Sequence, residues 1–196
     1  MTCDRLGIVI APVDLPPIVS AALDLSRRRG FVTSSRSETG RLLAALAASR
    51  SGRLGECGTG CGVGAAWLSS GARDGSDIVT AELDPSLAEA VSDLFAEDPR
   101  VEVITGDWQS LRDHAPFSLL FLDVRDAKES GIDAVAELLG PGGVVVLDDF
   151  TPCQTWPPMY EGRVDTMRQQ WFLDERFTTV EVMVAPDSAV LLASRV

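Results

Sequence analysis

From Pro17 to Leu46 apolar residues recur at helical spacing; beyond Ser51 they gather into short runs separated by amphipathic stretches. Ile18, Ala22 and Leu25 predict a helix that stops at Gly30. A second helix is predicted through Leu42, Leu43 and Leu46, with Ser35 and Glu38 as its capping box. The apolar runs at 53–57, 77–82, 101–105, 118–124 and 143–148 read as strands. Between the second and third, Asp84 can cap a helix, Pro85 fits its first turn, and Leu87, Val91, Leu94 and Phe95 form its buried face. A later helix is predicted with Val164, Met167, Trp171 and Phe172 on one face. Two last strands, 178–184 and 189–195, are joined by Ala185-Pro186-Asp187-Ser188, a link short enough for antiparallel pairing.

Strands that alternate with helices predict an α/β fold. The expected form is one Rossmann-like domain: a mostly parallel seven-stranded sheet, a C-terminal antiparallel hairpin, and helices on both faces. The length of 196 residues suits a single domain. Residues 1–16, with Pro12, Pro16 and Pro17 nearby, read as an irregular arm.

Charge narrows the function classes. A net charge of −12 argues against a nucleic-acid partner, which needs a basic surface. Arg27, Arg28 and Arg29 form the one dense basic run, and they read as the solvated end of the first helix. No run is long enough to span a membrane, and the first residues lack a signal-peptide pattern, so the chain is expected to be cytoplasmic with reduced thiols. Cys57 and Cys61 have no second Cys/His pair to complete a zinc site.

The chemistry concentrates at strand ends. The first strand runs into Glu56-Cys57-Gly58-Thr59-Gly60-Cys61-Gly62-Val63-Gly64. A strand, then glycines, then a helix is how open α/β sheets cradle nucleotides. Glu56, Gly58, Thr59, Gly60 and Gly62 are therefore candidate binding residues. Glu82, at the tip of the second strand, is a candidate acceptor for both ribose hydroxyls of an adenosine group. Asp107 and Trp108, after the third strand, are placed to meet its adenine, with a capping role for Asp107 as the alternative. A dinucleotide fingerprint can also be read from Gly60 to Ala65, which keeps an oxidoreductase open.

These segments, in this order, resemble a class I S-adenosylmethionine-dependent methyltransferase, and within that class the catechol and caffeoyl-coenzyme A O-methyltransferase family. The matching stretches are Ser37–Leu43, Glu56–Gly64, Glu82–Pro85, Phe121-Leu122-Asp123 and Gly142–Asp149, within residues 32–150. The expected organisation is an N-terminal arm and helices over 1–50, a cofactor-binding core over 51–150, and an acceptor-side segment, helix and closing hairpin over 151–196.

Asp123 ends the fourth strand, and Asp148 and Asp149 end the fifth, so all three converge on the ligand rim. Such a set suits a hard cation such as Mg²⁺. The resemblance implies a metal site there as well, with Asp123 also beside the methyl donor. The family has Asn at the second position of the Asp148-Asp149 pair, and it has a lysine where this chain has Asp126. Lys128 is the candidate catalytic base, with a solvated loop as the alternative; His114 lies before the fourth strand and is expected off the rim. Residues 151–160, rich in proline and large apolar side chains, read as a wall or lid on the acceptor side, with the 1–16 arm as a second wall.

The expected activity is methyl transfer from S-adenosylmethionine to a small hydroxylated acceptor with Mg²⁺ assistance, and a homodimer is one assembly the sequence allows. A metal-free methyltransferase and a non-catalytic cofactor-binding module remain as alternatives.

Overall fold

In the computed structural model, which describes residues 14–196, the strands form close to the expected places. β1 (Arg53–Cys57), β2 (Asp77–Glu82) and β3 (Val101–Thr105) coincide with their apolar runs. β4 (Phe117–Leu122) ends before Asp123. β5 (Leu139–Phe150) is longer than predicted. Leu139 already pairs with Phe117, and the register then shifts so that Val144 pairs with Leu119. The run Gly140-Pro141-Gly142-Gly143 conceals that extension from a reading of apolar positions. A small hairpin, β6 (Met159–Tyr160) with β7 (Arg163–Val164), precedes the closing pair β8 (Phe177–Ala185) and β9 (Ser188–Arg195).

The main sheet has the order β3-β2-β1-β4-β5-β9-β8, with β9 antiparallel to both neighbours and the other pairs parallel. Its helices are α1 (Pro17–Arg29), α2 (Ser37–Ala48), α3 (Val63–Gly71), α4 (Pro85–Leu94), α5 (Arg125–Glu129), α6 (Ile132–Leu138) and α7 (Thr166–Leu173), with a 3₁₀ segment at Trp108–His114. Successive strand residues point to opposite faces, so β4 and β5 feed two cores at once. Leu119, Phe121, Val144 and Val146 pack with α1 to α4 on one face. Leu120, Leu122, Val145 and Leu147 pack with the 3₁₀ segment, α5, α6 and α7 on the other. Each such side chain, once fully buried, contributes about 1.5–3 kcal/mol. Among the described residues no helix is long and apolar enough to cross a membrane.

Helix ends follow the expected chemistry with two exceptions. Gly30 closes α1 in the left-handed region, and Asp84 caps α4 by accepting from the Ser86 amide at 2.8 Å. Ser35 does not cap α2: the cap position falls to Arg36, whose side chain makes no capping bond, because the Ser35 hydroxyl is drawn elsewhere. Val164 is not on α7; it sits in β7, exposed, while α7 buries Arg168 and Trp171, the latter against Phe177. The helix starts later because Asp165 accepts from the Arg168 amide and fixes its first turn.

The connector from α4 to β3 is held by one carboxylate. Asp98 accepts from Arg100 at 2.7 and 2.8 Å and from Ser69 of α3 at 2.7 Å. The Arg100 hydrogen bonds are the main reason its pKa falls to about 2. The folded value lies below the unfolded one, so its stabilisation is complete above about pH 4 and lost as pH falls to about 2. Asp98→Asn is expected to cost about 1–2 kcal/mol at pH 7, allowing for solvent screening. In urea titrations the gap between variant and wild type should close between about pH 4 and pH 2; parallel stability profiles would rule this out.

Candidate functional site

Strand order reverses between β1 and β4: the chain leaves β1 toward α3 on one face and β4 toward α5 on the other. A crevice opens where two such loops diverge. The approach here is close. The Asp123 amide donates to the Cys57 carbonyl at 3.0 Å, and a Cβ on Gly58 would lie 2.2 Å from Val124 Cγ1. Gly58 also has φ +92°, so no L side chain fits there without strain. Gly60 has φ +53°, and the ring of Phe31 lies over it, 2.9 Å from where a Cβ would stand.

Two cavities open at these strand ends. One, of about 660 Å³, is lined by the connector Phe31–Arg36, the loop residues Gly58, Thr59 and Gly60, and Glu82, Asp123, Asp148 and Asp149. The other, of about 940 Å³, runs from Asp148 and Asp149 past Lys128 to the β6–β7 hairpin and the start of α7. Asp148, Asp149 and Arg125 line both.

Glu82 bridges the glycine loop and the α4 cap. Its Oε2 accepts from the Gly60 amide at 2.8 Å and its Oε1 from the Asp84 amide at 2.9 Å. Each oxygen keeps a lone pair for a ligand. Glu56 does not line the cavity: it points under the first turn of α3, only 1% exposed. Thr59 and Thr80 hydroxyls lie 2.5 Å apart, and Thr80 donates to Glu56 Oε2 at 2.6 Å, so the Thr59 hydroxyl is linked through Thr80 to a buried carboxyl. Burial, with no cation to offset it, pushes the Glu56 carboxyl well above its usual range. Gly62 starts α3 and packs against Val91 and Phe95 rather than lining the cavity. Asp107 takes the capping role, accepting from the Gln109 amide at 2.9 Å, and Trp108 is buried in the core; neither lines the cavity.

The three rim acids come together: one oxygen from each of Asp123, Asp148 and Asp149 lies within 4.8 Å of the others. Each acid is met by a side-chain donor. Ser35 donates to Asp123 at 3.0 Å and Thr39 to Asp148 at 3.2 Å, two hydroxyls four residues apart at the start of α2. Lys128 donates to Asp149 at 3.2 Å and to the Asp148 carbonyl at 3.1 Å. Its side chain is 9% exposed, so it is no solvated loop residue. Asp149 has φ +66°, a left-handed conformation in which Asn and Asp are the commonest side-chain-bearing residues. Burial, then the neighbouring Asp148 and Asp149, push Asp123 up to about 7; burial also raises Asp148. An oxygen-only set whose like charge Lys128 relieves only in part suits a hard divalent cation. His114 sits away from the rim, 3.6 Å from Glu102.

Sequence reasoning missed Phe31, Ser35 as a site residue, Thr39 and Ser188. The spacing of Ser35 and Thr39 was the one available signal for the pair, and it reads equally well as helix capping. The predicted 1–16 wall falls largely on residues 1–13, outside those described.

Residues 56–150 match a methyltransferase-domain family model. Proteins named as O-methyltransferases from Mycobacterium bovis and Mycobacterium tuberculosis are 34% identical over 119 residues, covering 55% of this chain and 52% of theirs. The chain thus spans about half the length of these curated relatives. Among solved structures, a methyltransferase from Geobacter sulfurreducens superposes with TM-score 0.75 at 21% identity, covering 95% of this chain and 91% of its own. An O-methyltransferase from Bacillus cereus, solved with S-adenosylhomocysteine, gives TM-score 0.73 at 20% identity, covering 95% and 94%. At these identities the structures show a shared fold.

Crowding of the rim has a measurable cost. In chelator-treated protein at pH 8, Asp123→Asn should raise stability by about 1–2 kcal/mol by removing one buried like charge. A thermal or urea midpoint equal to or below wild type would overturn this account of the acids.

Proposed function

We propose that the chain is a class I methyltransferase, a reading supported by the match of residues 56–150 to a methyltransferase-domain model, and that it moves a methyl group from S-adenosylmethionine to a hydroxyl of a small acceptor. The observation that carries this is the meeting of two cavities at Asp148 and Asp149, beside Asp123: one fits a donor and the other an acceptor.

In this reading the donor lies along Gly58, Thr59 and Gly60, with its ribose hydroxyls on Glu82. Glu56 acts from beneath, through Thr80, by fixing Thr59. Gly62 sets the start of α3, while Asp107 and Trp108 stay outside the donor site, one as a cap and the other in the core. Phe31 covers the loop. Asp123 faces the sulfonium on one side and the acceptor on the other.

The reaction is a displacement: the acceptor oxygen forms a bond to the methyl carbon, the carbon–sulfur bond breaks, and a neutral thioether leaves. The protein's main task is to align oxygen, carbon and sulfur and to exclude water. Lys128, whose amine borders the acceptor cavity, is the group placed to receive the hydroxyl proton. Asp123, Asp148 and Asp149 would hold a divalent cation, which supplies Lewis-acid activation of the acceptor hydroxyl. Ser35 and Thr39 keep two of the acids pointed at it. A metal-free reaction is the second reading, favoured by the Lys128 ammonium already beside Asp149; the three acids then orient the acceptor directly.

Calorimetry should show S-adenosylmethionine binding weakened by about 1.5–3 kcal/mol in Glu82→Ala, the scale of hydrogen bonds to a charged group. Unchanged affinity would remove Glu82 from the donor site. With a vicinal-diol acceptor, EDTA should suppress turnover and Mg²⁺ restore it, while donor affinity stays nearly constant; Asp148→Ala should lose turnover in the same way. Full turnover in EDTA would select the metal-free reading.

A further inference from the structure

The acceptor-side cavity is lined by four cations, Arg125, Lys128, Arg163 and Arg168. Three are committed. Lys128 holds Asp149 and the Asp148 carbonyl. Arg125 pairs with Glu129 at 2.6 Å. Arg168 is almost fully buried and donates to Glu181 and to the Thr151 carbonyl, both at 2.8 Å. Arg163 alone of the four has no carboxylate within ion-pair distance among the described residues.

Its position is built rather than incidental. Arg163 is the cross-strand partner of Tyr160 in the β6–β7 hairpin, whose two turn residues, Glu161 and Gly162, both have positive φ. That backbone is the two-residue turn that matches strand twist, so the hairpin is a stiff flap. Cross-strand partners share a face, and Tyr160 and Arg163 both line the cavity. An aromatic ring beside a free guanidinium offers a planar ligand a surface and a carboxylate a two-pronged donor. Polarity then sets the orientation. The acids Asp148 and Asp149 repel an anionic group, whereas Arg163 attracts it. The remaining wall carboxylate without a cation is Glu161, at the tip of the turn.

Resting on the acceptor reading above, we infer that Arg163 selects acceptors bearing a carboxylate remote from the methylated hydroxyl, with Tyr160 against the ring: the substrate class is hydroxylated aromatic acids. The neutral and cationic counterparts of such an acid lack the group that Arg163 recognises.

The test uses three diols with the same ring, 3,4-dihydroxybenzoate, 3,4-dihydroxybenzyl alcohol and 3,4-dihydroxybenzylamine, in turnover and in calorimetric binding to the donor-loaded protein. Wild type should show KM and Kd about tenfold lower for the benzoate than for the alcohol, the scale of a partly screened charge-assisted pair. Arg163→Ala should abolish that advantage, with the alcohol's Kd held and the amine bound no more weakly than before, and Arg163→Lys should restore part of it. A benzoate preference that survives Arg163→Ala overturns the inference, as does equal weakening of all three ligands, which would mean a structural role. So does an amine preference abolished by Glu161→Gln. If no diol is methylated, binding separates the two claims: Arg163-dependent benzoate binding without turnover counts against the methyl-transfer reading and keeps the Arg163 carboxylate subsite, and its absence sinks this inference.

Discussion

Three carboxylates whose oxygens lie within 4.8 Å of one another are an arrangement that folding alone would avoid, and much of the chain is disposed to maintain it. Asp123 comes from the end of β4 and Asp148 with Asp149 from β5, neighbouring parallel strands whose register is set by Leu119–Val144 through Leu122–Leu147. Slipping that register by one residue would turn every apolar side chain to the wrong face, so the acids are fixed by the same pattern that fills the two cores. Local donors then do the fine work. Ser35, just ahead of α2, and Thr39 within it approach from one side of the sheet, and Lys128 from α5 on the other. Stability is thus surrendered at the rim and recovered in the apolar layers on either side.

The crevice depends on a second constraint, the crossing of two loops at β1 and β4. Gly58 sits where Val124 leaves no room for a side chain, and the Cys57 carbonyl takes the Asp123 amide. The glycine loop therefore has two duties at once. Its backbone must pass under the β4 loop, and its exposed side must remain open to a ligand beneath Phe31. Glu82 ties the loop to the cap of α4, so three elements that are distant in sequence share one carboxylate.

Much of this was legible in the sequence, for reasons that can be named. β1, β2 and β3 announced themselves as apolar runs bounded by glycine or acid. The antiparallel end followed from a link too short for a crossover. Glu82, Asp123, Asp148 and Asp149 were readable because strand ends in an open sheet have a known side. What escaped notice was what depends on contacts remote in sequence. Ser35 looked like a cap because its partner, Asp123, is 88 residues away. Lys128 looked solvated because nothing local shows α5 turning it beneath Asp149. Glu56 and Trp108 looked like ligand contacts because they lie close to strand ends, whereas the strand's alternation and the core claim their side chains. The start of β5 was hidden by glycines that pair through backbone alone.

Arg168 ties the wall of the second cavity to the rest of the molecule. Its guanidinium reaches the Thr151 carbonyl and Glu181, while Glu181 in turn accepts from the Cys153 amide. Both ends of the irregular segment from Thr151 to Asp165 are thereby pinned to β8 and α7, and the stretch between them contributes little to either core. Such a segment can be lengthened, shortened or rewritten with few consequences for the sheet. Descendants of this chain could exchange one acceptor for another by editing a dozen or so residues, with the donor crevice inherited intact, which makes the anchor rather than the flap the part that lineage change should leave alone.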